Sequence, residues 1–247
     1  MLKKIEQDIK AYSKENIYDL DTSIMIPKYV GRIIDIMKEE RGTLSGIKTL
    51  ELGLGQGYST PKFEEEFLNH TVLDGDKDII QKYRNEHPSS NVHLVETYFE
   101  DFEPEEKYDL IIMGFVLEHV LDPVALIAQY RKYLTSDGRI FITVPNATSL
   151  HRRVGNVAGM LQDMYELSET DIGYGHRRYY DLEKLKNDCI DAGLKIIRTE
   201  GLFLKPITTG QMLQLNLSNT ILEAFYDVGI NYPELCAGIM IEGTNNE

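Results

Sequence analysis

Short apolar runs alternate with amphipathic stretches along most of this chain. Strand-like runs lie near 47–52, 71–75, 91–96, 108–114, 138–144, 194–201 and 237–242. Between them, apolar residues recur at helical spacing near 25–41, 59–69, 77–86, 123–135 and 181–192. This alternation predicts an α/β fold, a mostly parallel sheet with helices on both faces. The helix at 123–135 carries its own signals. Asp122 suits the N-cap and Pro123 the first helical position, and Ser136-Asp137-Gly138 reads as a turn before the strand Arg139 to Val144. Two segments fit no core element: Pro145 to Arg178 and Pro206 to Pro233. Loops this long inside a compact domain are usually functional or carry helices of their own. Both are expected to be partly helical and to cover a substrate site. The first 24 residues are weakly patterned, although Tyr12 and Tyr18 suggest that they pack onto the domain.

In an open parallel sheet, ligands bind beyond the carboxyl ends of the strands. The first strand runs directly into Gly53-Leu54-Gly55-Gln56-Gly57-Tyr58. Glycines allow a sharp turn and a close approach of backbone to ligand. The spacing is G-x-G-x-G, with Tyr58 where a dinucleotide site wants its third glycine. That points away from a nicotinamide cofactor and toward S-adenosylmethionine. The second strand ends in Asp74-Gly75-Asp76. Asp74 is placed to accept hydrogen bonds from a ribose diol, while Asp76 suits the cap of the next helix. Both also fit a plain turn. After the third strand, Phe99 and Glu100 offer an apolar slab and a polar partner for an adenine ring, or form a simple acidic loop.

The fourth strand, Tyr108-Asp109-Leu110-Ile111-Ile112-Met113, leads into Leu117-Glu118-His119-Val120-Leu121-Asp122-Pro123. Together with the glycine run, Asp74 and the Leu134–Ile140 turn, these pieces resemble the class I S-adenosylmethionine-dependent methyltransferases. The likeness is to the small-molecule type of the ubiquinone pathway and of sugar and natural-product biosynthesis. It covers roughly residues 45 to 200, departing at Ser136 and Asp137 from the usual Pro and Gly. It implies a Rossmann-like seven-stranded sheet with an antiparallel last strand. The implied division is an N-terminal helical cap (1–45), a cofactor-binding core (46–145) and acceptor-site lids at 146–180 and 204–233. It also implies roles. Gly53, Gly55 and Gly57 would cradle the methionine part of the cofactor, and Glu51 would help hold its amino end, directly or through water. Asp74 would bind the ribose. Phe99, Glu100 and Tyr98 would border the adenine, and Phe115 would lie beside the methionine tail.

Composition narrows the acceptor. With a formal net charge of −14, the 247-residue chain is ill suited to a nucleic-acid backbone. No stretch reaches the roughly 18 to 20 apolar residues of a membrane span, and the N-terminus lacks the apolar core of a signal peptide. Cys189 and Cys236 read as buried thiols in a reducing, cytoplasmic setting. A small-molecule acceptor is therefore expected. A hydroxyl acceptor needs a base, and His119, His151 and His176 all fall on the expected rim. Each also has a reading as a wall or loop residue. Four of the ten arginines, Arg152, Arg153, Arg177 and Arg178, flank two of these histidines. Arginine forks suit phosphate and carboxylate, so an anionic or phosphate-linked acceptor is expected, unless these arginines pair with surface acids. No His, Cys, Asp and Glu set has metal-ligand spacing, so no metal is expected. The apolar residues of 205–226 suit a core or a homodimer contact. O-methylation is favoured, with N-methylation of an amino sugar or other small amine as the alternative. A nicotinamide-dependent oxidoreductase and a non-catalytic scaffold are the more distant readings.

Overall fold

The computed structural model describes residues 19–245, and side chains from residue 25 onward. Tyr12 and Tyr18 lie outside the described residues. Helix α1 (Asp19–Arg41) precedes a core of β1 (Lys48–Leu52), α2 (Thr60–Glu66), β2 (Asn69–Asp74), α3 (Lys77–Glu86), β3 (His93–Glu96) and β4 (Tyr108–Gly114). There follow α4 (Pro123–Arg131), β5 (Leu134–Pro145), α5 (Leu150–Val157), α6 (Glu169–Gly173), α7 (Leu182–Asp191) and β6 (Leu194–Leu202). The described chain ends with α8 (Thr209–Gln214), α9 (Asn219–Gly229) and β7 (Gly238–Asn245).

The seven strands form one sheet in the order β3-β2-β1-β4-β5-β7-β6. Only β7 runs antiparallel, inserted between β5 and β6, as the family resemblance implies. Side chains of a strand alternate between faces, and the core divides accordingly. Leu50, Ile111, Met113, Ile140, Ile142 and Ile241 face α4 and α7, where Leu126, Tyr130, Leu185 and Cys189 pack against them. Leu110, Ile112, Phe141 and Met240 face the other layer, with Tyr29, Ile33 and Met37 of α1 and Phe63 of α2.

Several boundaries differ from the sequence reading, among them the start of α1 at Asp19 and the end of α2 at Glu66. Helix α4 stops at Arg131, not 135, and Ser136-Asp137-Gly138 lies within β5 rather than in a turn before it. The polar residues there form a bulge. Leu134 pairs with Tyr108 but Arg139 pairs with Leu110, so 135–138 are thrown out of register. Thr135 holds this excursion by donating to Asp109 at 3.0 Å. A Cβ at Gly138 would stand 3.0 Å from the Tyr108 oxygen, so only glycine fits without displacement. Turn-forming residues thus made a bulge. Asp122 and Asp76 cap their helices as expected. Both unassigned segments are partly helical, holding α5 with α6 and α8 with α9. Both cysteines are free and buried. Among the described residues, no helix is long and apolar enough to cross a membrane.

Candidate functional site

The strand order reverses between β1 and β4, with β2 on the other edge of β1, so the carboxyl ends of β1 and β4 open the crevice where a ligand fits. The turn after β1 is shaped by Gly53, Gly55 and Gly57, with φ of +83°, +53° and +78°. Side chains disfavour this left-handed region. A Cβ at Gly55 would meet no atom within 4 Å, so the space beside the turn is open. Asp74, at the end of the adjacent β2, holds the turn. Its Oδ2 accepts from the Leu54 amide and its Oδ1 from the Asp76 amide, both at 2.9 Å. Burial raises its pKa, against the pull of these amides. Each carboxylate oxygen keeps further acceptor capacity for a diol. Phe99 leans over the turn, its ring tip 3.7 Å from where a Gly53 Cβ would be, while Tyr98 stands by Gly75 and is largely exposed, as is Glu100. An open glycine turn, a carboxylate beside it and an aromatic ring over it fit S-adenosylmethionine.

Two of the expected cofactor residues have added duties. Glu51 is buried on the α1 side of the sheet. It accepts from the Ser59 and Thr60 hydroxyls and lies 3.1 Å from His70 Nε2. Its carboxylate ties β1 to the start of α2, so a ligand amine reaches it only by way of these partners or a water. Phe115 sits at φ +56°, a costly conformation for a bulky residue. Its amide donates to both the backbone oxygen (3.0 Å) and Oγ1 (3.1 Å) of Thr143, and its ring meets Tyr29 edge-on at 5.9 Å. Tyr29 therefore brings α1 over the turn after β4. Nothing in the sequence pattern distinguished Tyr29 from any other apolar-face residue.

The histidines expected on the acceptor rim are assembled from more distant parts. His119, in the turn after β4, meets His176 of the first insertion with ring centroids 4.7 Å apart. His176 Nδ1 lies 3.3 Å from Asp171 Oδ1. Asp171 also accepts from the Ser168 amide (2.8 Å), the Ser168 hydroxyl and the Tyr179 hydroxyl (2.9 Å). Burial works to raise the Asp171 carboxyl, but the bonds from His176, Ser168 and Tyr179 outweigh it and hold the group far below the usual range. His119 is pushed down to about 4, by burial first and then by His176, against the backbone of Gly175 and Tyr174. It is therefore neutral at neutral pH. Beside it, Glu118 is fully buried, and burial pushes its carboxyl up to about 7, opposed by His176 and Arg178. Sequence reading missed Asp171 and Glu118. The Ser168-x-x-Asp171 capping box was the available signal for Asp171.

His151 is not part of this group. It bonds Ser149 at 3.1 Å, and burial, then Lys205 and Arg152, lower it to about 3. The four arginines bind backbone carbonyls rather than acids. Arg152 donates to Met164 and Glu166 and stacks 4.3 Å over the Tyr179 ring. Arg153 donates to Thr148, Arg177 to His119, and Arg178 to Leu117, Val120 and Leu121. Arg153 and Arg177 are exposed, and among the described residues they hydrogen-bond through Nε alone. Asn146, also missed, buckles the two insertions together. Its Nδ2 donates to Pro233 and Cys236, its Oδ1 accepts from Thr148, and the neighbouring Ala147 amide reaches Tyr180.

Comparison with known proteins agrees with this fold. A ubiquinone biosynthesis O-methyltransferase of Actinobacillus pleuropneumoniae serotype 7 is 28% identical over 124 residues, 47% of this chain and 53% of that protein. The chain spans about half the length of the curated relatives it matches. Among solved structures, an S-adenosylmethionine-dependent methyltransferase from Clostridium acetobutylicum superposes with a TM-score of 0.64 at 13% identity, covering 97% of this chain and 99% of its own. The N-methyltransferase NodS of Bradyrhizobium japonicum, solved with S-adenosylhomocysteine, gives 0.56 at 14% identity, covering 90% and 87%. The methyltransferase-domain family matches residues 27–199, the span that holds the glycine turn, Asp74 and the turn after β4, and the chain belongs to this family, on the class I S-adenosylmethionine-dependent fold.

Proposed function

We propose that this protein transfers a methyl group from S-adenosylmethionine to a hydroxyl of a small, anionic or phosphate-linked metabolite. The observation that carries the reading is the Asp171–His176–His119–Glu118 cluster at the mouth of the cofactor crevice. The bound donor supplies an electrophilic methyl group, so the protein's task is placement. Gly53, Gly55 and Gly57 would take the methionine part, Asp74 the ribose and Phe99 the adenine, with Phe115 and Tyr29 closing the opposite side. A hydroxyl acceptor must also lose its proton, and an amine in its neutral form need not. A polar cluster with two imidazoles and two carboxylates supports the hydroxyl. The exposed Arg153 and Arg177 support an anionic group on the acceptor. The insertions at 146–180 and 204–233 would cover the acceptor as lids, the second also offering a homodimer contact. The relation to a ubiquinone biosynthesis O-methyltransferase favours oxygen, while the likeness to NodS keeps an amine acceptor as the alternative.

The test is transfer from labelled S-adenosylmethionine to a panel of nucleotide sugars, phosphorylated metabolites and their amino counterparts. The expected product is an O-methyl ether on a charged acceptor, with transfer reduced in His119→Asn and His176→Asn. Transfer to the amino compounds alone would select the alternative, and transfer to none would sink the reading.

A further inference from the structure

The group at the acceptor mouth has the composition of a metal site. Glu118, His119 and His176 each bring one ligand atom, and the three atoms lie within 4.8 Å of one another. A zinc-like ion with bonds of about 2.0–2.2 Å needs tetrahedral donors roughly 3.4 Å apart, a closure within reach of small side-chain rotations.

Three independent features favour an ion. First, Glu118 is 1% exposed, and its Oε2 has no hydrogen-bond partner among the described residues. An unpaired buried carboxylate oxygen is costly. The comparison with Glu51 is direct, because that equally buried carboxylate beside a histidine is satisfied by Ser59 and Thr60. Second, both imidazoles have a neighbour of the kind that fixes a metal-bound ring. Asp171 Oδ1 lies 3.3 Å from Nδ1 of His176, out of line for a hydrogen bond, while the backbone of Tyr174 and Gly175 holds His119. Metal-bound histidines characteristically give their second nitrogen to a carboxylate or a backbone oxygen. Third, Glu118 and Asp171 would offer a cation two carboxylates, and the hydrogen-bond donors of Arg177 and Arg178 go to backbone carbonyls of residues 117–121 rather than to these carboxylates.

We propose that Glu118, His119 and His176 form a two-histidine, one-carboxylate site for a divalent transition metal, with open positions for the acceptor hydroxyl. Two imidazole ligands favour Zn²⁺, Co²⁺ or Fe²⁺ over Mg²⁺ and Ca²⁺. The site rests on the reading that the acceptor meets this cluster. A hydroxyl held on the ion gives its proton to water more readily. Its oxygen then bonds to the methyl carbon as the carbon–sulfur bond breaks, and the sulfur keeps the electron pair. The spacing signal was absent from the sequence because His176 stands 57 positions after His119 in another element.

The full chain, stripped with EDTA, is titrated with Co²⁺ alone and followed by its visible absorption, and with Zn²⁺ by calorimetry. One ion per chain is expected. Affinity should fall at least about 100-fold in Glu118→Gln and in His176→Ala, and about 10–100-fold in Asp171→Asn, with His93→Gln, on the exposed end of β3, unchanged. S-adenosylhomocysteine binding reports that each variant is folded. No ion bound at millimolar Zn²⁺ or Co²⁺, or equal affinity in the cluster variants, overturns the site. Labelled methyl transfer in the presence of EDTA separates this from the wider reading. Full transfer without bound metal removes the ion and leaves the methyltransferase, whereas a bound ion without any methyl transfer leaves the ion and removes the methyltransferase.

Discussion

The two halves of the crevice are built differently. On the cofactor side, the turn after β1 is held by one carboxylate, Asp74, some twenty residues away and on the neighbouring strand. On the side proposed for the acceptor, the groups are fixed within and between the insertions: Asp171 lies against His176, Arg152 holds Met164 and Glu166, and Asn146 joins the first insertion to the end of the second. The cofactor half is thus a property of adjacent strands and their turns. The acceptor half depends on how two insertions dock. Surface loops tolerate change where strand ends do not, so one side can be kept for a fixed donor while the other is rebuilt around a new acceptor.

The sharpest way to test this division is to loosen each half separately. Asp74→Ala should do the most damage. It removes the acceptor of the Leu54 and Asp76 amides together with the proposed ribose ligand. The expected loss is about 100-fold in S-adenosylhomocysteine affinity by calorimetry, with about 2–3 kcal/mol of stability, since bonds to a charged group contribute about 1.5–3 kcal/mol. Unchanged affinity would refute the assignment of the crevice. Asn146→Ala comes next, at about 2–3 kcal/mol in urea unfolding, because it strands the buried carbonyl of Cys236 and frees the Thr148 turn. Here S-adenosylhomocysteine affinity should stay within about threefold if the halves are independent, and a parallel collapse of affinity would show that they are one unit.

Arg152→Ala should cost about 1–2 kcal/mol, from its carbonyl bonds and its stacking on Tyr179. Its signature is local: hydrogen exchange should quicken across 158–168 and nowhere on the β1–β2 side. The smallest effect near neutral pH belongs to His151. Its folded pKa of about 3 lies below its ordinary value near 6.5. The unfolded chain therefore takes up a proton first as pH falls. The stabilising contribution is complete above pH 6.5 and is lost on acidification toward pH 3, by at most about 1.4 kcal/mol per unit. His151→Gln should flatten the fall in urea midpoint between pH 6.5 and 5. An unaltered slope would place the acid sensitivity elsewhere.

Much of the cofactor side was legible because its signals are local. Three glycines after an apolar run need only the turn that they make, and Asp122-Pro123 and Asp76 need only the helices that they cap. The misread boundary at 131–138 shows the limit of such signals. Ser136-Asp137-Gly138 has turn chemistry in any context, and only the pairing of Tyr108 with Leu134 made it a bulge. The arginines show the same limit. Their clustering in sequence was real, but a guanidinium binds whatever acceptor the fold brings to it, and here that is largely the carbonyls of neighbouring turns.

By itself, then, the sequence determined the open sheet, the glycine turn and the acid beside it, because alternation, glycine spacing and caps act within a few residues. The tertiary structure alone decided that Glu118, His119, His176 and Asp171 form one group while His151 stands apart with Ser149. The contact that joins them, His119 with His176, spans 57 residues and depends on the docking of the first insertion against the turn after β4. No local propensity encodes that docking. It follows from burial of the apolar faces on either side, which places the polar residues between them wherever the packing leaves room.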